Sequence, residues 1–520
     1  MKLVLALIAA PLAAQVTYDQ LLNPKPENWV HYSGSYNSQR HSALKQVTTA
    51  NAKDLTAQWI FHVPEASRLE SVPIVVDGVM YVAQPNDVFA LDARSGRMIW
   101  EYHRQPALQK GPNRGVAVYG NKVYIGTPDA HLVALDARTG NPVWTAKLAE
   151  ASDGFWCPVA PMVIKGKVII GIAPGDHGLN GFLDAYDAET GERLWRWNAI
   201  PKPGEPGSDS WSGDSWKTGG GNTWLTGSFD PALNTVYWGI GNPAPDFDGD
   251  VRKGDNLYTE SMVALDAETG KMKWYFQYTP HDVHDWDAVE IPILIDAPIG
   301  GQTRKLLLQA NRNGFYYVLD RETGKFLHGT PFVKLLNWAS GLTPDGKPIR
   351  VPGIIPSVTG TKACPATSGA TNWMSPAYNP DTKWFYVVAQ EGCGVNYKAK
   401  DTFRPGGNSF MATGYVESVE EPWQMYVRAL DATTGKLQWE YKQVSSKRYG
   451  AGLLSTAGGL LFAGDDQGNL TALDAKAGKA LWHFNTGQQI SASPMTYAVK
   501  GKQYVAIAAG SNVVAFALRD

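Results

Sequence analysis

The sequence predicts an all-β protein, an eight-bladed β-propeller of four-stranded antiparallel blades, on three observations. A Leu-Asp-Ala-x-x-Gly core followed four residues later by Trp recurs down the chain, the copies leave room for one four-stranded sheet apiece, and the two chain ends carry pieces of one further copy. The copies read ALDARSGRMIW to Trp100, ALDARTGNPVW to Trp144, AYDAETGERLW to Trp195, ALDAETGKMKW to Trp274, ALDATTGKLQW to Trp439 and ALDAKAGKALW to Trp482. A seventh, VLDRETGKFLH, has His328 at the Trp position. In each, one strand ends in the Leu-Asp pair, the small residue and Gly supply a turn with φ > 0, and the next strand carries the docking Trp. A single such sheet cannot bury both faces, and stacked blades can.

Taken in order, residues 1–14 have one Lys, a short apolar run and small residues around Ala13 and Ala14, the pattern of a secretory signal peptide. Residues 15–520 are then expected to form one propeller domain. NAKDLTAQWIFHV places Trp59 where an eighth, degenerate copy belongs, and the C-terminal VVAFAL reads as a blade strand without its turn, so the two ends should share a blade. Between the repeats lie irregular stretches at 198–223, 242–260, 330–375 and about 396–423, rich in Gly, Pro and polar residues. Long connections on a stiff scaffold are where function concentrates.

The 520 residues include 53 Gly, 33 Pro and 19 Trp and carry a formal net charge of -2, with no block of like charge to recommend nucleic acid or an anionic membrane as partner. No run beyond the N-terminus approaches the ~20 apolar residues of a membrane span. Of the three cysteines, Cys364 and Cys393 flank one strand and its neighbours and are the expected disulfide, leaving Cys157 over. There is no Cys-x-x-Cys-His for a covalently attached haem and no Cys directly after the signal for a lipid anchor.

The chemistry concentrates at HDVHDWDA, where Asp282, Asp285 and Asp287 lie close together. Read as an extended segment, it points the carboxylates of Asp285 and Asp287 to one side, which suits a hard cation bound by oxygens. GGGNTW joins a closely approachable backbone to Trp224, a platform for a flat ring, and Arg114 and Arg312 sit immediately before strands, placed for bidentate contact with carboxylates.

Together these motifs resemble the pyrroloquinoline quinone (PQQ)-dependent alcohol dehydrogenases, the eight-bladed quinoproteins that include methanol dehydrogenase. The resemblance runs from WVHYSGSYNSQRHSAL to GKQYVAIAAGSNVV through NRGVAV, GGGNTW, GIGNPAP, TPHDVHDWDA, NRNGFYYVLDR and TNWMSPAYNP in the family's order. It implies PQQ and one metal ion as cofactors, Asp285 as the base that takes the substrate hydroxyl proton, and Arg312 on the reactive quinone oxygens. It makes Asp176, Asn242 and Asp285 metal ligands with Asp287 as a further metal residue, Trp224 the floor under PQQ, and Glu70, Arg114, Asn222 and Asn372 its rim, with backbone near Gly175. Asp287 matches the additional carboxylate of the lanthanide-using branch, so the resemblance leans to a lanthanide over Ca²⁺.

Several positions depart from the family. Leu108 and Gln109 stand where two adjacent Cys are common, Asp176 replaces a Glu, Pro158 and Asn222 replace Thr, and His284 replaces a Trp and is expected to line the substrate cavity. The resemblance implies an exported, periplasmic enzyme that oxidises a primary alcohol and passes electrons to a soluble cytochrome c. Two other readings stay open: a non-catalytic propeller scaffold of the outer-membrane assembly type, and a soluble PQQ sugar dehydrogenase.

Overall fold

The computed structural model describes residues 16–105, 111–173, 175–421, 423–444 and 450–519. The signal-peptide reading at 1–14, and Leu108 and Gln109, lie outside the described residues. Among those described, no helix is long and apolar enough to cross a membrane.

Each Leu-Asp-Ala-x-x-Gly copy forms the turn between the third and fourth strands of an antiparallel sheet, as Asp87–Asp92 and Met98–His103 do in the sheet that begins with Ile74–Val76 and Val79–Gln84. Among the described residues, eight sheets of this order are present, one of them extended by a short parallel strand at His41–Ser42. The chain ends share a sheet, with Leu55–His62 paired antiparallel to Asn512–Leu518. The expected meeting of the two ends is therefore observed.

The repeat letters have separate physical duties. Asp92 Oδ1 accepts the backbone N–H of Arg94 (3.0 Å) and Ser95 (2.9 Å), closing an Asx-type turn, and Gly96 follows at φ +71°. Gly96 is required a second time by packing, since a Cβ there would lie 2.6 Å from the Trp59 ring of the preceding sheet. Trp59 Nε1 then donates to Ala93 C=O at 3.2 Å, so each turn is stapled by the indole of the sheet before it. The same bond runs from Trp100 to Ala137 (3.0 Å), Trp144 to Ala188 (3.2 Å), Trp195 to Ala267 (3.4 Å), Trp274 to Arg321 (3.2 Å), Trp439 to Ala475 (3.1 Å) and Trp482 to Leu55 (3.1 Å). In the copy without Trp, His328 Nε2 lies 2.7 Å from Thr434 C=O and takes over the sheet-to-sheet contact.

The long connections carry structure that no repeat announces. Ala339–Leu342 pairs with Pro348–Arg350, and Thr361–Ala363, Gly394–Lys398 and Thr413–Glu417 form a second small sheet. The disulfide Cys364–Cys393, expected from the sequence, closes the end of the pairing between Thr361–Ala363 and Gly394–Lys398. Cys157 is free and buried, its thiol pushed up to about 12 by burial.

Candidate functional site

Loops at one end of successive sheets deliver the site. Glu70 and Arg114 precede the first strands Ile74–Val76 and Ala117–Tyr119, Asp176 follows Lys167–Gly171, and Trp224 precedes Ser228–Asp230. Asn242 follows Thr235–Gly239, Asp285 and Asp287 follow Met272–Gln277, Arg312 joins Gln302–Ala310 to Phe315–Asp320, and Asn372 precedes Ala377–Asn379. Glu70, Arg114, Asp176, Asn222, Trp224, Asp285, Asp287, Arg312 and Asn372 line one cavity of about 290 Å³. Pro158 lines it as well, with Arg68, Trp156 and Trp373, which sequence reasoning did not single out.

Asp285 is aimed by a turn. Asp282, wholly buried, accepts the backbone N–H of Asp285 (2.8 Å) and Trp286 (3.2 Å) on Oδ2 and that of His284 (3.2 Å), which holds Asp285 at φ +61°. Arg312 spans the centre. It donates to Asp285 C=O, Asp287 Oδ2 and Asn372 Oδ1, each at 3.1 Å, and its Nε lies 3.5 Å from Glu290 Oε1.

Two expectations change at this turn. The segment is not extended, so Asp285 and Asp287 take different partners. Asp287 Oδ1 accepts Asn242 N–H (2.7 Å), and Oδ2 accepts Trp224 Nε1 (3.0 Å) and Arg312 (3.1 Å). His284 does not line the cavity, because it is buried and stacked on Trp286 with ring centroids 4.2 Å apart.

The carboxylates that converge are Asp176, Asp246 and Asp285, which offer one oxygen each within 4.8 Å of one another. Asn242 adjoins them, its Nδ2 donating to Asp246 Oδ1 at 2.9 Å and its Oδ1 accepting from Asn222 at 3.2 Å. Burial, and then the charge of neighbouring carboxylates, pushes Asp285 and Asp246 well above the ordinary carboxylate range and raises Asp176. Asp246 was missed because its DFDGD loop offers no sequence signal that separates it from Asp248 and Asp250.

On the opposite wall, Arg114 pairs with Glu70 at 2.9 Å, and Arg68 also bonds Glu70. The guanidinium of Arg114 sits 4.5 Å and that of Arg312 5.7 Å from the Trp224 ring centroid. An indole face flanked by cations can hold a flat anionic molecule by stacking and ion pairing at once.

Comparison with known proteins places the chain in a family. The family model for the glucose/ethanol/alcohol dehydrogenase β-propeller domain that uses PQQ matches residues 29–333, and the model for outer membrane protein assembly factor BamB matches 424–520. Quinoprotein alcohol dehydrogenase PedH of Pseudomonas putida is 38% identical over 97% of this chain and 90% of its own. Quinohemoprotein alcohol dehydrogenase of Comamonas testosteroni is 40% identical over 93% of this chain and 72% of its own. The chain belongs to the PQQ-dependent alcohol dehydrogenase family. Among solved structures, quinohemoprotein alcohol dehydrogenase from Comamonas testosteroni superposes with a TM-score of 0.88 at 37% identity, covering 95% of this chain and 80% of that one. A europium-containing methanol dehydrogenase gives 0.87 at 30% identity, over 96% and 100%.

The residues present fit both groups that this family implies. Arg114 Nε is buried with no hydrogen-bond partner among the described residues, an open donor beside Trp224 for a carboxylate of PQQ. A Cβ on Gly175 would lie 2.5 Å from Asn222 Nδ2, so the backbone there approaches the rim as closely as glycine permits. For the metal, the donor set itself is the test. Three carboxylates, Asp246 wholly buried and Asp176 and Asp285 half-buried, with oxygens within 4.8 Å of one another, repel when ionised and are stabilised by a cation, and oxygen donors of this kind select a hard one.

Proposed function

We propose that this protein is an exported quinoprotein that oxidises primary alcohols to aldehydes with PQQ and one bound cation. The observation that carries the reading is the convergence of Asp176, Asp246 and Asp285, of which Asp176 and Asp285 line one cavity with Arg312 and Trp224. Asp176, Asn242 and Asp285 would hold the metal. Trp224 would floor the PQQ plane, with Glu70, Arg114, Asn222 and Asn372 at its rim, the backbone of Gly175 beside it, and Arg312 toward its quinone edge. The chemistry supplied by bound PQQ and its cation is two-electron oxidation of a carbinol, the cation acting as Lewis acid.

The protein's own groups do the rest. A carboxylate oxygen of Asp285 accepts the substrate hydroxyl proton, and the Asp282 turn fixes where that oxygen points. Arg312, anchored through Asp287 and Asn372, presents positive charge where negative charge develops. Trp156, Pro158 and Trp373 narrow the cavity and exclude water.

A lanthanide is the cation this reading favours. Its support is the concentration of carboxylate charge around the centre, with Asp287 adjoining, and the similarity to a europium-containing methanol dehydrogenase. Electrons then leave to a soluble cytochrome c, a one-electron acceptor. Residues 1–14 act as the leader to the periplasm, and 15–520 form one domain whose eight sheets close into a propeller. The indole bonds that run from sheet to sheet, including Trp482 to Leu55 and Trp59 to Ala93, support closure. The scaffold reading draws on 424–520, which contains none of the site residues named above.

Reconstitution tests the proposal. Metal-free protein is loaded with PQQ plus La³⁺ or Ca²⁺, and dye-linked oxidation of a panel of alcohols and sugars is followed. Turnover of primary alcohols, higher with La³⁺, is the expected result. Failure to take up PQQ with any metal would favour a scaffold, and turnover confined to sugars would move the substrate class.

A further inference from the structure

Asp246 differs from the other acidic residues of its loop. Asp248 accepts the N–H of Asp250 at 3.2 Å and Asp250 pairs with Lys398 at the surface. Asp246 is wholly buried, and its Oδ2 has no hydrogen-bond partner among the described residues. A buried carboxylate with an open oxygen is costly unless opposite charge accompanies it.

The chain supplies little such charge in direct contact, although it fixes the surrounding backbone firmly. Arg252, itself buried, donates to the carbonyls of Pro245 (3.0 Å), Asp246 (3.1 Å) and Asp282 (2.6 Å), so it joins the loop of Asp246 to the turn that aims Asp285 while leaving the Asp246 carboxylate unpaired. The 396–423 insert adds a second clamp. Phe247 N–H bonds Met411 C=O at 3.0 Å and Phe410 N–H bonds Asp176 C=O at 2.7 Å. The three carboxylates are thus pre-positioned around one point, with an unsatisfied oxygen among them.

We infer that Asp246 is a direct ligand of the cation, which makes the centre a set of three carboxylates, from Asp176, Asp246 and Asp285, completed by Asn242 and built for a trivalent hard ion. The inference rests on the metal-dependent reading proposed above. Asp287, whose oxygens accept from Asn242, Trp224 and Arg312, adds its negative charge beside this set. Charge count at a rigid oxygen site sets both affinity and the preference between ions of different valence.

Europium luminescence reads coordination without turnover. Eu³⁺ is titrated into PQQ-loaded, metal-stripped wild type, Asp246→Asn and Asp246→Ala, and bound-water number is taken from lifetimes in H₂O and D₂O. Asp246→Asn is expected to weaken Eu³⁺ about a hundredfold and Ca²⁺ much less, and Asp246→Ala to admit additional inner-sphere water. Thermal unfolding of the metal-free variants checks that each is folded. A variant that does not fold is replaced by Asp246→Glu, which keeps the charge and is expected to retain Eu³⁺ with an altered lifetime. Wild type that binds Eu³⁺, with variants of unchanged affinity and hydration, overturns this inference and leaves the proposed function standing. Wild type that binds no Eu³⁺ and no Ca²⁺ overturns both.

Discussion

Arg312 is the side chain on which most of the site's geometry converges. Its guanidinium bridges Asp285 C=O, Asp287 and Asn372 while lying 5.7 Å from the Trp224 ring, so it fixes the distance between Asp285 and Trp224. Replacing Arg312 with Ala is expected to lower kcat by about a hundredfold, as loss of one pre-organised charge does, with little change in PQQ content. Steady-state kinetics on reconstituted protein checks this, and an unchanged kcat would remove Arg312 from the mechanism. At this scale the sequence was legible where a motif surrounds the residue. Glu70, Arg114, Trp224, Asp285, Arg312 and Asn372 were each named from short motifs, and all line one cavity. Asp246 was not, because its role depends on which of three alternating aspartates is buried, and only the fold decides that. The fate of Asp287 was hidden for a related reason. The backbone turns at Asp285 with φ +61°, which breaks the alternation that a strand would have imposed.

The repeated sheets are legible because their rules are local. Asp, Gly and Trp of each copy act within one hairpin and its neighbour, and their spacing survives in the sequence. Gly140 illustrates the constraint, with φ +75° and the Trp100 ring 2.6 Å from where a Cβ would lie. Gly140→Ala therefore combines left-handed strain with a clash and is expected to cost about 2–4 kcal/mol in denaturant unfolding. A loss under 0.5 kcal/mol, the scale of an ordinary surface change, would show that the indole does not clamp the turn. The inserts were illegible by comparison. Ala339–Leu342 and Thr361–Ala363 are too short to show periodicity, and their sheets form by pairing across long loops. Their Gly-, Pro- and polar-rich composition and the cysteine pair marked their location but not their strands.

Across the whole molecule, residues 29–42 act as a strap that sequence patterns alone did not reveal. Tyr36 OH bonds Val163 C=O, Leu294 N–H bonds Asn37 C=O at 3.0 Å and Tyr378 N–H bonds Gln39 C=O at 2.8 Å, so one segment touches several sheets. Arg40 ends it, wholly buried, donating to the carbonyls of Tyr32 (2.8 Å) and Leu453 (2.8 Å) and of Pro494. Arg40→Ala strands three buried acceptors and is expected to destabilise the protein by about 3–5 kcal/mol, read as a lowered unfolding midpoint in denaturant. A midpoint equal to wild type would deny the strap any holding role.

Charge acts at the same scale. Asp285, Asp246 and Asp176, with the buried Glu260 and Glu290, all have carboxyls raised above the ordinary range, burial being the first cause of each. Between the ordinary and the raised values the metal-free folded state holds more protons than the unfolded chain, so its stability falls as pH rises through that window. A bound cation removes the penalty. Tm of the metal-free protein should drop from pH 5 to pH 7.5, and La³⁺ should restore more at the higher pH. A metal-free Tm that is flat or rises would contradict this electrostatic picture.

The central claim is a single cation held among distant carboxylates beside a planar cofactor on Trp224. Anomalous diffraction from crystals grown with PQQ and Eu³⁺ measures it directly. The account predicts one strong peak within bonding distance of Asp176, Asp246 and Asp285, with flat density lying against the Trp224 indole. A peak elsewhere, or a cavity above Trp224 filled only by protein side chains, would contradict it.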